Sequence, residues 1–328
     1  MKVLVIRFSS IGDIVLTTPV MRCLKLQVPG IQVHYLTKSQ FQPILSVNPY
    51  IDKVITLKNS LSETINELKQ EKYDQVIDLH HNLRTLQVKL GLKLPVHSFK
   101  KLNFQKWLLV TFKKNLLPDK HIVDRYLDTT AHLGVKNDGQ GLDYFIPAGE
   151  SITGLLPESH NNGYIAFAIG GQHNTKKLPN HKIVDTANNI RLPLVLLGGK
   201  EDAANGDAII NSTTNKQAIN LCGKLSLHQS ALAVKQSKGL ITHDTGMMHI
   251  AAALDVPILS VWGNTVPEFG MYPYYRTNSG AALKAKMFEI TLPCRPCSKI
   301  GYEKCPLGHF KCMEEQDTRR IGELADKL

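Results

Sequence analysis

Short apolar runs alternate with amphipathic stretches along most of the chain. In the first half this pattern predicts five strands, at Lys2–Phe8, Gln32–Leu36, Lys53–Leu57, Gln75–Leu79 and Val96–Phe99. Helices are predicted between them, at Ile14–Leu26, Phe41–Val47, Ser62–Lys69 and Leu83–Leu90. Such alternation indicates a parallel sheet with helices on both faces.

A second alternating block follows a stretch rich in Gly, Asp and Pro, Gly134–Pro157. Its predicted strands are Tyr164–Ile169, Pro193–Leu197, Ala218–Leu221, Gly239–Thr242 and Ile258–Trp262. Its predicted helices are His181–Ile190, Asp202–Ile210, Leu227–Gln236 and Met247–Leu254. We therefore expect an α/β protein with two doubly wound, Rossmann-like domains, at residues 1–152 and 153–315, followed by a C-terminal helix within 316–328.

Composition narrows the class of protein. The 328 residues are 43% hydrophobic and 20% charged, which is ordinary for a globular protein. No apolar run reaches the roughly 18 residues of a membrane span, and the chain starts directly with a strand, so we expect a cytoplasmic location. The net charge of +11 is compatible with nucleic acid, an anionic membrane or phosphorylated substrates. No nucleic-acid-binding module is visible, so nucleic acid is not an expected partner.

One segment is both basic and aromatic. It reads FKKLNFQKWLLVTFKKNLLP and covers residues 99–118. Such a segment is typical of a helix lying on a membrane surface. The alternative is a helix that packs on its own domain and exposes a basic face.

The stretch from Gly239 to Gly263, GLITHDTGMMHIAAALDVPILSVWG, predicts a strand, a polar turn, a helix and a second strand. Its turn lies at a strand's carboxyl end and a helix's amino end, where α/β sheets bind ligands and phosphate is favoured. Gly246 permits close backbone approach, and Asp244 and Thr245 can cap the helix or bind a ribose. His249 follows one turn later. The alternative is a helix-capping Asp and a buried His without function.

The first strand–helix turn, RFSSIGDIVLTTP, covers Arg7–Pro19. Ser9, Ser10 and Gly12 form a tight polar turn that exposes backbone N–H groups. The glycine pattern of nicotinamide sites is missing. From the residues alone, Asp13 is either a helix cap or a carboxylate available for chemistry.

Three further loops carry candidate side chains. Lys176, after a pair of glycines, is suited to phosphate oxygens, or is a solvated loop cation without a ligand. Glu201 or Asp202 could accept hydrogen bonds from ribose hydroxyls, or could interact only with a helix dipole. Arg84, which follows a strand and the pair His80–His81, suits an acceptor carboxylate or phosphate, or a surface salt bridge.

Four cysteines lie close together late in the chain, at Cys294, Cys297, Cys305 and Cys312. C-x-x-C with two further cysteines is compatible with zinc, although the spacing is not that of a paired knuckle. Free thiols or a loop staple are the alternative.

Two ordered motifs resemble the heptosyltransferases, the family 9 glycosyltransferases of lipopolysaccharide core synthesis. One is D-T-G-x-x-H-x-A-A-A-L-x-x-P, from Asp244 to Pro257, and the other is R-x-S-S-x-G-D-x-x-x-x-x-P, from Arg7 to Pro19. The resemblance implies a GT-B fold, with the two domains facing across a cleft and the C-terminal helix crossing back to the first domain. One departure stands out: Leu178 occupies a position where the family has Trp.

The resemblance also implies functions for individual residues. Asp13 would be the general base of an inverting transfer of heptose from ADP-heptose to a lipid-linked acceptor at the inner leaflet. The donor would be bound by Thr175, Lys176, Glu201, Asp244, Thr245, Gly246 and His249. The acceptor side would include Ser9, Ser10, Gly12 and Arg84. No cofactor or catalytic metal is implied, and we expect a monomer on the inner membrane surface. Rival interpretations are a hexosyltransferase or epimerase using another nucleotide sugar, and a non-catalytic binder of anionic polymers.

Overall fold

The computed structural model describes every residue from Met1 to Leu328. Its strands are β1 (Lys2–Ile6), β2 (Gln32–Thr37), β3 (Lys53–Thr56), β4 (Gln75–Asp78), β5 (Val96–Ser98), β6 (Ile165–Ala168), β7 (Leu194–Leu197), β8 (Ala218–Asn220), β9 (Gly239–His243), β10 (Ile258–Trp262) and β11 (Lys286–Glu289). Its α-helices are α1 (Ile11–Val15), α2 (Thr18–Gln27), α3 (Gln42–Ser46), α4 (Leu61–Gln70), α5 (Leu83–Leu92), α6 (Asn103–Phe112), α7 (Ile122–Leu127), α8 (Asn180–Asn188), α9 (Ala203–Ser212), α10 (Leu227–Gln236), α11 (Gly246–Ala253), α12 (Gly280–Lys284), α13 (Lys311–Glu314) and α14 (Thr318–Ala325). Short 3-10 helices lie at Ser39–Phe41, Asp128–Leu133, Glu158–His160, Asn174–Lys176, Lys200–Asp202 and Pro267–Phe269.

The chain divides into two compact units, each built on one parallel sheet. The first comprises residues 1–102 and 120–145, and the second comprises 103–119 and 146–328. Helix α6 therefore belongs to the second unit, whereas the sequence pattern predicts a first domain that ends at residue 152 and contains this helix. The reason is local packing, because Leu109 of α6 is buried against Val266 and Phe269.

The first sheet has the strand order β3-β2-β1-β4-β5, and every pair is parallel. Strand β1 is central: Val3 is in register with Val33 on one side and with Gln75 on the other. Its residues Leu4 and Ile6 are completely buried in the core of the unit. Because β1 and β4 are neighbours, the loops that follow them lie side by side at the carboxyl edge of this sheet.

The predicted helix Ile14–Leu26 is interrupted. The structure has two helices there, α1 and α2, separated by Leu16 and Thr17. The Thr17 hydroxyl donates to the Ile14 carbonyl at 2.7 Å, and Pro19 occupies the first turn of α2. Proline lacks an N–H group and favours the first turn of a helix, so Pro19 marks the start of a second helix. The apolar periodicity continues across this break, and for that reason it predicted one helix.

The second sheet has the strand order β11-β10-β9-β6-β7-β8, again entirely parallel. Connections run outward from β6 in one direction and from β9 in the other, so the order reverses between these two strands. In doubly wound sheets a ligand binds at such a reversal. The ten strands predicted from sequence are present, and the α/β class is confirmed. Strand β11 was not predicted, because this edge strand is largely exposed and lacks a continuous apolar run.

The C-terminal helix does not behave as the family resemblance implied. Helix α14 packs on α8 within the second unit. Ile321 and Ala325 are completely buried in the core of that unit, and Asp326 accepts hydrogen bonds from the backbone N–H groups of Arg191 and Leu192. These contacts explain why the helix stays with the second unit. No helix in the protein combines the length and the apolar character that a membrane span requires.

Candidate functional site

Asp13 lies in the first turn of α1, directly after the loop that follows β1. Its Oδ2 accepts hydrogen bonds from the Ser10 backbone N–H at 3.1 Å and the Ser10 hydroxyl at 2.8 Å. Its Oδ1 forms an ion pair with Nη2 of Arg7 at 2.6 Å. The carboxylate is held by three groups but stays about one-fifth exposed. It therefore serves as a helix cap and still reaches solvent.

Arg7 holds the loop after β1 in place through hydrogen bonds to buried groups. Its Nε donates to the Ser9 carbonyl at 2.7 Å, and its Nη1 donates to the Leu79 carbonyl at 2.7 Å and to the Tyr126 hydroxyl at 3.1 Å. Burial disfavours the charge of Arg7, but the adjacent Asp13 carboxylate outweighs burial, and the pKa of the guanidinium is raised. Arg7 is therefore a permanent cation that keeps Asp13 in place.

A cavity of about 580 Å³ opens beside this loop in the first unit. It is lined by Phe8, Ser9, Lys38, His80, Asn82, Leu83, Arg84 and Gln87. Arg84 extends over the ring of Phe8, 6.0 Å from its centre, and forms no salt bridge. The structure thus brings together two of the predicted acceptor-side residues, Ser9 and Arg84. Ser10 is exposed and caps α1, whereas Gly12 is buried within that helix.

Asp78, at the end of β4, has a structural task. It is completely buried, and its oxygens accept hydrogen bonds from the backbone N–H groups of His80 and His81 and from the Thr85 hydroxyl. Burial alone would raise its pKa, but an ion pair with Lys89 at 2.8 Å outweighs burial, and the pKa is lowered. Asp78 therefore shapes the loop that presents His80 to the cavity.

The second candidate centre is at the strand-order reversal of the second sheet. Nζ of Lys176 lies 2.6 Å from Oδ2 of Asp244, and the Thr265 hydroxyl donates to the same oxygen at 2.8 Å. Lys176 comes from the loop after β6, Asp244 follows β9, and Thr265 follows β10. Three adjacent strands therefore converge on one cation–carboxylate pair beside the amino end of α11.

The start of α11 is open to a ligand. Thr245 is the N-cap residue, but its side chain does not bond to the helix N–H groups. A Cβ added to Gly171 would lie 3.2 Å from the Thr245 side chain, so the loop after β6 approaches this helix closely. Gly246 is the first residue of α11, and His249 is buried one turn further on. Uncapped N–H groups and the helix dipole together favour an anion.

Thr175 is bonded within the protein. Its hydroxyl donates to the Tyr302 carbonyl at 3.0 Å and accepts from the Tyr302 N–H at 2.8 Å, and the side chain is buried. This pairing holds the loop after β6 against the cysteine-rich segment. The predicted contact of Thr175 with a donor stays a prediction.

Glu201 and Asp202, the two acidic residues after β7, differ in exposure. Asp202 is buried, and its carboxylate accepts from the Gly199 N–H at 2.9 Å, which caps the local helical turn. Glu201 is exposed. Only Glu201 is therefore accessible to a ribose at the end of β7.

A model of glycosyltransferase family 9 (heptosyltransferase) matches residues 62–301. The chain belongs to this family. It is 26% identical over 330 aligned residues to lipopolysaccharide heptosyltransferase 1 of Pseudomonas aeruginosa, with 91% of this chain and 86% of the relative covered. Two solved structures from Escherichia coli share its fold. They are ADP-heptose lps heptosyltransferase II (TM-score 0.69, 21% identity, 96% and 98% of the two chains covered) and heptosyltransferase WaaC with ADP (TM-score 0.63, 21% identity, 83% and 91% covered).

The protein is thus a family 9 glycosyltransferase with the GT-B fold, as predicted. Membership argues against the interpretation as a non-catalytic binder of anionic polymers. It also places the two sequence motifs in structural context, since each lies at the carboxyl end of a central strand of its sheet.

The cysteine-rich segment of this family 9 enzyme presents no arrangement of three side chains suited to a metal ion. All six cysteines are free thiols, and Sγ of Cys294 lies 3.9 Å from Nε2 of His309. Burial raises the pKa of Cys312 to about 12, so that thiol is protonated at neutral pH.

Two residues near the Asp244 centre, Thr265 and Arg295, were not predicted from the sequence. Thr265 bonds to Asp244, as described above. Arg295 donates to the carbonyls of Gly263 at 2.6 Å and Thr265 at 3.0 Å, which fixes the loop after β10. No local pattern distinguishes either residue from an ordinary loop residue, because each acquires its partner only through the tertiary fold.

Proposed function

We propose that this family 9 enzyme transfers a heptosyl group from ADP-heptose to a hydroxyl of a lipid-linked core saccharide, with inversion at the anomeric carbon. The acceptor oxygen forms a bond to the anomeric carbon, and the bond from that carbon to the diphosphate oxygen breaks. The hydroxyl proton goes to Asp13, and ADP leaves. The P. aeruginosa relative and the two E. coli structures, by their names, support this donor and this acceptor class.

The observation that carries the proposal is the Lys176–Asp244–Thr265 cluster beside the uncapped start of α11. A nucleoside diphosphate needs cationic and N–H donors for its phosphate oxygens, and this cluster and helix supply both. Glu201, exposed after the neighbouring strand β7, is placed to accept hydrogen bonds from the ribose. With this charge compensation, the reaction needs no divalent metal to stabilise the departing diphosphate.

Asp13 is our candidate for the base. A carboxylate removes a proton only if it is ionised and within reach of the acceptor. Arg7 and Ser10 hold it in one orientation, and its partial exposure leaves it accessible. A single carboxylate suffices for an inverting displacement, because no covalent intermediate has to form.

The cavity of the first unit suits an anionic acceptor. Lys38 and Arg84 line it, and neither forms a salt bridge within the protein. No Asp or Glu side chain lines the cavity. Two cations without counter-ions favour a carboxylate or phosphate substituent on the acceptor sugar.

Helix α6 offers a surface for the lipid part of the acceptor. Leu109 is buried, whereas Phe104, Trp107 and Phe112 are about half exposed or more. Their rings contact one another, with 5.9 Å between the centroids of Phe104 and Trp107. Exposed Lys114 follows the helix. Exposed aromatic rings with a basic flank are typical of peripheral binding to an anionic leaflet.

The first experiment tests the nucleotide and the transfer together. Calorimetry compares ADP, UDP and GDP on the wild type, on Asp244→Asn, and on Asp185→Asn as a surface control on α8. We expect selective binding of ADP that Asp244→Asn weakens at least tenfold, because Asn holds the Lys176 ammonium less firmly at the start of α11. Asp185→Asn should leave ADP binding unchanged. The wild type should also release ADP from ADP-heptose when given lipopolysaccharide purified from cells lacking this enzyme.

The outcomes separate the parts of the proposal. Preference for UDP would retain the transferase but exclude ADP-heptose. Equal binding by Asp244→Asn and the wild type would exclude the Asp244 cluster as the donor site. Binding of ADP without any transfer of heptose to that acceptor would refute the proposed acceptor.

The membrane part has its own test. Sedimentation with vesicles of phosphatidylglycerol and phosphatidylethanolamine should retain the wild type, and the double variant Phe104→Ser/Trp107→Ser should be released. Equal retention of both proteins would exclude the α6 surface as the contact.

A further inference from the structure

His80 is a half-buried residue in the wall of the cavity of the first unit, and its ring nitrogens have no hydrogen-bond partner in the protein. Its backbone N–H bonds to Asp78, and its ring lies 5.0 Å from the ring of Phe8. Nδ1 is buried without a hydrogen bond, and no hydrogen bond engages Nε2. Most buried polar atoms in proteins are paired, so a buried Nδ1 left unpaired at a cavity wall calls for a ligand.

The surroundings of His80 keep it neutral. Burial lowers its pKa to about 4, and the positive charges of Arg7 and Lys101 act in the same direction. A neutral imidazole has one N–H donor and one nitrogen acceptor. That combination suits a sugar hydroxyl, which both donates and accepts. It does not suit an anionic substituent, for which Lys38 and Arg84 are already present in the same cavity.

We infer that His80 is a positioning residue that hydrogen-bonds a hydroxyl of the acceptor sugar and orients that sugar toward Asp13. The inference rests on the proposed function, since it takes the cavity to be the acceptor site. Two observations connect the residue to the base. The loop bearing His80 follows β4, next to the β1 loop that bears Asp13, and the Asp13 carboxylate opposes the lowering of the His80 pKa by burial.

The two charged groups and the neutral group then have separate tasks. Lys38 and Arg84 attract the anionic substituent from solution, and the His80 hydrogen bond adds to the affinity for the acceptor. His80 selects the rotation of the sugar ring, because a hydrogen bond is directional where a charge is not. Loss of His80 should therefore raise the KM for the acceptor and leave donor binding untouched.

The test uses a matched pair of variants, His80→Gln and His80→Met. The two side chains have nearly the same shape and lose the aromatic contact with Phe8 equally, but only Gln keeps hydrogen-bonding groups. The assay follows ADP release from ADP-heptose while lipopolysaccharide from cells lacking this enzyme is varied. We expect the acceptor KM of His80→Met to exceed that of His80→Gln by about tenfold, with the Kd for ADP within twofold of wild type for both.

Equal acceptor KM values for the two variants would overturn the inference. An equal loss of ADP affinity would also overturn it, since that would indicate general damage to the protein. If both variants melt below the assay temperature, His80→Phe takes their place, because it keeps an aromatic ring against Phe8 but has no hydrogen-bonding group. An acceptor KM equal to that of the wild type in His80→Phe would overturn the inference. A wild type that transfers nothing from ADP-heptose would instead refute the proposed function.

Discussion

Replacing Asp13 by Asn separates the chemistry of this residue from its place in the structure. Asn has nearly the same size and keeps one carbonyl oxygen for the Ser10 N–H and hydroxyl groups. It cannot accept the proton of the acceptor hydroxyl. General base catalysis contributes roughly 10²–10⁴-fold to rate, so we expect kcat to fall about 1000-fold. Binding of ADP should be unchanged, because the proposed nucleotide contacts come from Lys176 and Asp244.

The stability cost of the same change follows from the Arg7 contacts. Removing one partner of a buried ion pair costs about 3–5 kcal/mol when the other charge is left without compensation. Arg7 retains the Ser9 and Leu79 carbonyls and the Tyr126 hydroxyl, and Asp13 is partly exposed. We therefore expect a loss of about 2 kcal/mol. The activity loss corresponds to about 4 kcal/mol in the barrier, so partial unfolding cannot account for it.

The assay measures ADP release at saturating donor and acceptor, together with the Tm of each protein. Ser10→Ala is the control, because it removes one hydrogen bond to Asp13 but leaves the carboxylate and the Arg7 pair. It should retain at least a tenth of wild-type kcat. If Asp13→Asn also retained a tenth of wild-type kcat while remaining folded, Asp13 would not be the base.

Three further predictions concern stability and metals. Burial lowers the pKa of His243 to about 3, so the unfolded chain binds a proton more readily than the folded protein does. The free energy of unfolding should therefore fall by about 2 kcal/mol from pH 7 to pH 5. In urea unfolding, His243→Gln should reduce this dependence on pH. Arg22 is buried between Asp138 and Asp143, so Arg22→Leu should lower the free energy of unfolding by about 3–5 kcal/mol. Lys120→Ala, which breaks the exposed ion pair with Asp128, should lower it by less than about 1 kcal/mol in the same measurement. Dialysis against EDTA should leave kcat within twofold, and a loss restored by Mg²⁺ would contradict metal-independent stabilisation of the diphosphate.

The fold was predictable because its central strands are buried on both faces. Strands such as β1, β6 and β9 are nearly continuous apolar runs, and turn residues bound them clearly. The pattern failed where burial is partial: β11 at the sheet edge is mostly exposed and carries no such signal. At α14 the sequence indicated a helix but not what it packs against, because its partner α8 is far away in sequence.

Some parts of the candidate site were predictable from sequence and others were not. Asp13 and Asp244 stand at strand–helix turns, which sequence can place, and the motifs around them pointed to the family. Whether Thr175 faces a ligand or the protein could not be read from its type, since a threonine hydroxyl serves either. Its pairing with Tyr302 joins residues 127 positions apart. Such a contact depends on how the loops meet.

The cysteine-rich segment contacts the loop that carries Thr265 through residues and groups other than its thiols. Arg295 holds the carbonyls of Gly263 and Thr265, and Cys297 contributes its backbone N–H, not its thiol, to the Asn264 carbonyl. Thr265 in turn holds Asp244. The segment therefore supports the Asp244 cluster through backbone contacts. If this cluster binds the nucleotide as proposed, Arg295 should matter more to nucleotide binding than any of the thiols.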